Sequence, residues 1–323
     1  MTLPRNLTRK TFAVAGFAAL LYVVAALFIG WSEIGSAMAQ LGGGRFAAVI
    51  ALSLLNYSLR FWRWHGFLEA VDAHIPWRRS LEVYFATYVM VITPGKIGEA
   101  FKAGMLRDTD GIALSRGLPA VMAERIYDFI AVLVLVAVGA LYWEGSFAGA
   151  LVGLPLGAGA VGLLILVRSA RIRRLLIERI ARSRHFGDHK VGLDDALTAT
   201  STLLAPGRGT IHLALSLLAW FCECAGMWLI CRELAPHVGL LESIFIYGAA
   251  TLIGSVSFLP GGIGGTEAVI VLLLSNVGVA GPTAAAIAFI IRLATLWLAV
   301  VVGLGVLLAA RRRLFAAAPG ADS

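Results

Sequence analysis

Arginine inside an apolar run is among the costliest residues to place in a bilayer, and the strongest candidates here are Arg125 and Arg292. A charge at the bilayer centre costs at least ~2.5–3.5 kcal/mol on insertion scales, so it faces a partner or a watery cavity. The guanidinium is a planar fork of donors that stays protonated and matches phosphate oxygens. An anionic lipid headgroup is therefore a natural ligand for both. The plain alternative for Arg125 is neutralisation within its own helix, by Glu124 beside it and Asp128 three residues on. Arg292 has no acid in its apolar stretch.

Each arginine follows a helix breaker. Pro94-Gly95-Lys96-Ile97-Gly98 and Pro260-Gly261-Gly262-Ile263-Gly264 share a Pro-Gly-x-Ile-Gly core, with Arg125 31 residues after Pro94 and Arg292 32 after Pro260. A duplicated unit is the simplest explanation. Pro and Gly cannot continue a helix cheaply, and broken helices at membrane depth persist only where their freed backbone groups are buried in protein or face a cavity. Paired interruptions in two halves point to a secondary transporter's binding site.

Around the first break, Lys96, Glu99 and Lys102 recur at spacing three and share one face of the half-helix after Pro94. Its N-terminus carries free N–H groups and partial positive charge, which bind anions. Lys96, with Gly95 and Gly98, forms the expected anion-binding tip, while Lys102 is expected to snorkel to the surface. At the second break, Gly261, Gly262 and Gly264 let the backbone approach a ligand or the facing hairpin. Glu267 then pairs with Arg292 or Lys96 as a gate, or carries a coupling proton. Glu223 sits in an apolar stretch without Lys or Arg, so it takes a hydrogen bond from another helix or relays protons. Arg60, Trp62, Arg63 and Trp64 read as an anchoring aromatic and basic belt, with a lipid phosphate as the alternative ligand.

The elements that must position these groups are helices. Of the 323 residues 59% are hydrophobic and 14% charged, with mean hydropathy +0.85, against roughly a quarter charged in soluble domains. An all-α integral membrane protein is predicted, one polytopic domain over residues 1–323. Six apolar runs have crossing length, roughly 20 residues each: Thr11 to Trp31, Phe46 to His65, Gly117 to Tyr142, Phe147 to Val167, His212 to Cys231 and Thr283 to Ala309. Residues 81–106 and 241–276 carry the breaks and are expected to form re-entrant hairpins, inverted about a pseudo-twofold axis within repeats of about 46–142 and 212–309. Lys and Arg concentrate in alternate loops and at the tail Arg311-Arg312-Arg313, which predicts a multi-pass cell inner-membrane protein with both termini cytoplasmic.

Several classes are set aside. The formal charge of +8 comes from basic residues between apolar spans, so an anionic inner leaflet rather than nucleic acid is the expected partner. Residues 169–209 place Arg171, Arg174, Arg179 and Arg182 among aliphatics, the pattern of an amphipathic interfacial linker. Cys222, Cys224 and Cys231 read as buried inert thiols, and no metal, cofactor or P-loop motif is found. Ala37-Met38-Ala39 looks like a signal-peptidase site, but the preceding run has span length, and a retained first helix is expected.

Taken together, Leu59-Arg60-Phe61-Trp62-Arg63-Trp64, Pro94-Gly95-Lys96-Ile97-Gly98-Glu99, Glu124-Arg125-Ile126-Tyr127-Asp128, Pro260-Gly261-Gly262-Ile263-Gly264-Gly265-Thr266-Glu267 and Arg292 resemble the flippase-like family of bacterial and archaeal membrane proteins. That family is related to the membrane region of lysylphosphatidylglycerol synthases. The resemblance covers nearly the whole chain. It implies movement of an anionic or aminoacylated phospholipid between leaflets, with the two hairpins forming the headgroup cavity. No soluble aminoacyl-transfer domain is recognisable, so lipid aminoacylation is not expected and the chain is read as a transporter rather than an enzyme. An intramembrane enzyme using Glu99, Glu267 or Glu223, and a non-transporting envelope scaffold, are the alternatives. A second copy or a lipid-modifying enzyme are the protein partners left open.

Overall fold

The computed structural model describes residues 31–93, 98, 101–143, 147–169, 171, 175, 199–200, 202–205, 207–257 and 259–314. The first apolar run, most of the 169–209 linker, and Gly95, Lys96 and Glu99 of the first break lie outside them. The described residues are helical, without a strand.

Helix α1 (Trp31–Leu41) meets α2 (Gly43–Ala70) at a bend of 87°. Gly42 makes the corner with φ 74°, a left-handed conformation that costs glycine little. The Ala37-Met38-Ala39 stretch lies inside α1, with Ala37 buried. At about 1.5 Å per residue, the 28 residues of α2 run the height of the molecule.

The first broken segment starts after Pro76 with α3 (Trp77–Ala86) and tightens into a 3-10 stretch, Thr87–Ile92. Thr93 is extended, with ψ 144°, as a residue before proline must be. Helix α4 (Phe101–Asp110) follows. Arg79 in α3 pairs with Asp110 at the end of α4, 3.0 Å apart, so the segment doubles back on itself. Gly98 lies against its own segment: a Cβ there would stand 2.5 Å from Met90 Cβ.

Helices α5 (Leu114–Leu141), α6 (Phe147–Arg168) and α7 (Arg208–Leu234) come next. The second broken segment begins with α8 (Leu240–Val256). Leu259, before Pro260, is again extended (ψ 145°), and Gly261, Gly262 and Gly264 all have positive φ. Helix α9 (Gly265–Asn276) returns, and His237 Nε2 reaches the Val277 carbonyl at 3.1 Å, so this segment doubles back too. The chain ends in α10 (Gly281–Arg292), a π-turn at Leu293–Trp297, and α11 (Leu298–Leu314).

The two segments open toward opposite ends of α2. Arg45 at its start pairs with Glu233, near His237 and the open end of the second segment. Beyond its other end, the Asp72 carbonyl accepts from Arg116, and the open end of the first segment is tied to α11 through Glu82 and Arg313. Each segment sits in its own core. One gathers Trp64, Phe67, Tyr84, Leu106 and Tyr127 around α2–α5 and α11; the other gathers Met227, Ile246, Ile270 and Ile287 around α7–α10. Close backbone approach joins helices where lipid gives no hydrophobic drive between them. A Cβ at Gly303 of α11 would lie 2.6 Å from the Val89 nitrogen, and one at Gly139 of α5 2.7 Å from that of Phe245.

By length and composition, 209–234 and 281–311 are apolar enough to cross a membrane among the described residues, and the bent α1–α2 pair makes a third if it is counted as one span. Helices α5 and α6 have 28 and 22 residues, the first carrying Arg116, Glu124, Arg125 and Asp128.

Candidate functional site

The two broken segments touch between the cores. A Cβ on Gly261 would stand 3.3 Å from Ile92 Cγ2. Beside this contact lies a cavity with about 930 Å³ of empty space, its open mouth included. The first segment contributes Tyr84, Thr87, Tyr88, Thr93 and Lys102, and the second contributes Tyr247, Thr251, Ser255, Gly261 and Gly262. Helix α2 adds Tyr57 and Arg60, α7 adds Trp220 and Glu223, and the end of α10 with its π-turn adds Arg292 and Thr295. Hydroxyls, two arginines and a lysine thus converge on one space.

On the first segment's side the charges form a block. Lys102 Nζ is 2.6 Å from Glu124 Oε2, with side chains 2% and 0% exposed, and stands 4.7 and 4.5 Å from the Trp64 and Tyr84 ring centres. Arg63, fully buried, holds Asp128 at 2.7 Å, lies 3.8 Å from Glu124 and donates to the Ser216 hydroxyl. Arg60 and Arg125 both reach Asp128 Oδ2, at 3.0 and 3.1 Å. Among the described residues four cations surround two carboxylates, a formal excess of two positive charges.

On the second segment's side the bonds described centre on Arg292 and Glu223. Arg292 Nε is 2.8 Å from Glu267 Oε1 and its NH2 donates to the Gly261 carbonyl at 2.6 Å. Glu267 accepts from the Gly264 N–H at 2.7 Å, placing an acid at the N-terminus of α9 where the helix dipole favours it. Glu223 accepts from the Tyr247 hydroxyl at 2.6 Å, and the Tyr57 hydroxyl donates to the Thr295 carbonyl beside it.

The residues singled out in the sequence divide accordingly. Arg292, Glu223, Gly261 and Gly262 line the cavity, and Glu267 and Gly264 sit behind Arg292 as its brace. Glu124 and Asp128 are buried behind Lys102 and Arg60. Arg125 lines a neighbouring cavity instead, and Gly98 packs at the first break. Two expectations need correcting. Lys102 does not snorkel; a carboxylate across the helix interface and two aromatic faces hold it in the interior. Within the expected belt only Trp62 is exposed, since Arg63 and Trp64 are fully buried. The spacing Arg60, Arg63, three residues apart on one helix, was the available signal that both arginines turn to one interior face.

The profile of the family described as "Lysylphosphatidylglycerol synthase TM region" matches residues 12–303, nearly the whole chain. The chain belongs to this family. Similar relatives carry the name UPF0104 membrane protein. One from Pyrococcus horikoshii is 26% identical, covering 82% of this chain and 88% of its own. One from Methanothermobacter thermautotrophicus is 27% identical over 79% and 81%; another from that organism is 23% identical over 92% of both. This member of the family is therefore a helical membrane protein, and the motifs that line and brace the cavity fall within the matched region.

Proposed function

We propose that the chain is a lipid translocator that carries an anionic or aminoacylated phospholipid headgroup through the cavity between the two broken segments. The observation that carries this reading is the convergence of Arg60, Lys102 and Arg292 on one polar space lined by both broken segments. Guanidinium and ammonium groups at low dielectric bind phosphate oxygens strongly, while acyl chains can remain in the bilayer.

The membrane arrangement that suits this is six crossings plus two re-entrant hairpins of opposite orientation. Its support is the pairing of Arg79 with Asp110 at one end of α2 and of His237 with Val277 at the other. The end bearing Arg79, Arg116 and Arg313 would face the cytoplasm under the positive-inside bias. Alternating access would come from rocking one hairpin against the other about the Ile92–Gly261 contact. Glu267–Arg292 is the natural gate, because a phosphate can replace Glu267 at the guanidinium.

Single cysteines at Thr93 and Ser255 test this, because both line the cavity and the native thiols, all buried, are expected to stay silent. Membrane-impermeant thiol reagents are expected to label them from either side in proportions that shift when phosphatidylglycerol is added. Labelling from one side only, with and without lipid, would eliminate alternating access.

A further inference from the structure

Arg125 follows Pro94 by 31 residues much as Arg292 follows Pro260 by 32, yet it opens into a separate cavity. The walls of that cavity are largely hydrocarbon, from Phe129 and Val132 of α5, Leu163 of α6 and Leu252 of α8. Trp220, Thr251 and Ser255 line both cavities, so a single layer of side chains separates them. Phe129 is 45% exposed and Ile253, next to Leu252, 52%, which puts the rim of this space on the outer apolar surface of the protein. One carboxylate oxygen joins the two compartments electrostatically: Asp128 Oδ2 bridges Arg60 of the inner cavity and Arg125 of the outer. The Arg60 guanidinium also stands 5.7 Å from the Trp220 ring centre, against the dividing layer.

We infer that the outer cavity is a lateral phospholipid site, with a lipid phosphate on Arg125 and one acyl chain along Phe129, Leu163 and Leu252. The inference rests on the translocator reading and names where its substrate waits. A cation set among apolar walls is complementary to an anionic amphiphile. A free phosphate gains nothing from those walls, and a neutral chain gains nothing from the arginine. A phosphate arriving at Arg125 displaces Asp128 from that guanidinium while Asp128 keeps Arg60 and Arg63. Passage inward then requires Trp220 to swing aside, so that the phosphate exchanges Arg125 for Arg60.

The test uses the full chain in phosphatidylcholine vesicles doped with phosphatidylglycerol or phosphatidylcholine carrying a diazirine midway along one acyl chain. Labelled positions are read by mass spectrometry. Label is expected around Phe129–Val132 and Leu252–Ile253, with phosphatidylglycerol favoured roughly tenfold, because phosphatidylcholine brings the same phosphate together with a quaternary ammonium that the cations around Asp128 repel. That preference should vanish in Arg125→Gln, return in part in Arg125→Lys, and the label itself should fall in Leu252→Trp, which fills the space. Val301 and Leu308, on the exposed face of α11, report ordinary annular lipid and confirm that each variant is folded. Label that tracks these controls for both lipids, or a preference unchanged in Arg125→Gln, overturns the site. Translocation measured in the same vesicles separates the two ideas. Full translocation with only annular labelling removes the lateral site alone, whereas selective labelling without translocation keeps the site and removes the translocator.

Discussion

The two broken segments share a backbone device and differ in how their charges are held. Around the first, Arg60, Arg63, Lys102, Glu124, Arg125 and Asp128 form a multiply bonded block, most of it buried. Around the second, the bonds described include those of Arg292 to Glu267 and to the Gly261 carbonyl, and that of Glu223 to the Tyr247 hydroxyl. A carboxylate shared by several cations, as Asp128 is, keeps its network when one contact is lost. In the translocator proposed above, the first segment would stay fixed and present Arg60 and Lys102, and the second would move when a ligand takes Arg292 from Glu267.

The largest effect belongs to the block. Glu124→Gln takes from Lys102 its carboxylate in the interior, while Arg63 keeps Asp128, and is expected to cost about 3–5 kcal/mol. Glu267→Gln removes one charge-assisted bond, about 1.5–3 kcal/mol. Unfolding of both variants in detergent, followed by tryptophan fluorescence, measures the gap; equal losses would erase the asymmetry. A second strike at the fixed side is Gly303→Ala, whose Cβ meets backbone at 2.6 Å and should cost about 1–3 kcal/mol by overpacking. Gly305→Ala, with nothing within 4 Å, should stay within about 0.5 kcal/mol of the parent. Below the losses at the block, Tyr247→Phe is expected to cost about 1 kcal/mol through its bond to Glu223. If that variant proves as damaging as Glu124→Gln, the second side is a network as well and the contrast fails.

The sequence made some features plain because their physics is local. Pro94 and Pro260 force extended residues at Thr93 and Leu259, so both breaks could be placed by inspection, and apolar runs of helical length gave the all-helical class. Charge partners are not local. Lys102 meets a carboxylate 22 residues away and Arg63 one 65 residues away, and only the rotational setting of packed helices decides such pairs. For the same reason Lys102 read as a surface residue and Arg63 as part of a belt. The near-equal spacing of Arg125 and Arg292 from their prolines left open whether they share one space, because spacing along a chain does not fix which side of Trp220 a guanidinium falls on.

Headgroup-dependent translocation tests the central claim most directly. Fluorescent phosphatidylglycerol and phosphatidylcholine are followed between leaflets of sealed proteoliposomes containing the parent protein or folded Arg292→Gln. Faster movement of phosphatidylglycerol, reduced about tenfold or more in the variant, is the predicted result. Equal rates for the two lipids, a variant as fast as the parent, or no movement even with a proton gradient would contradict the account.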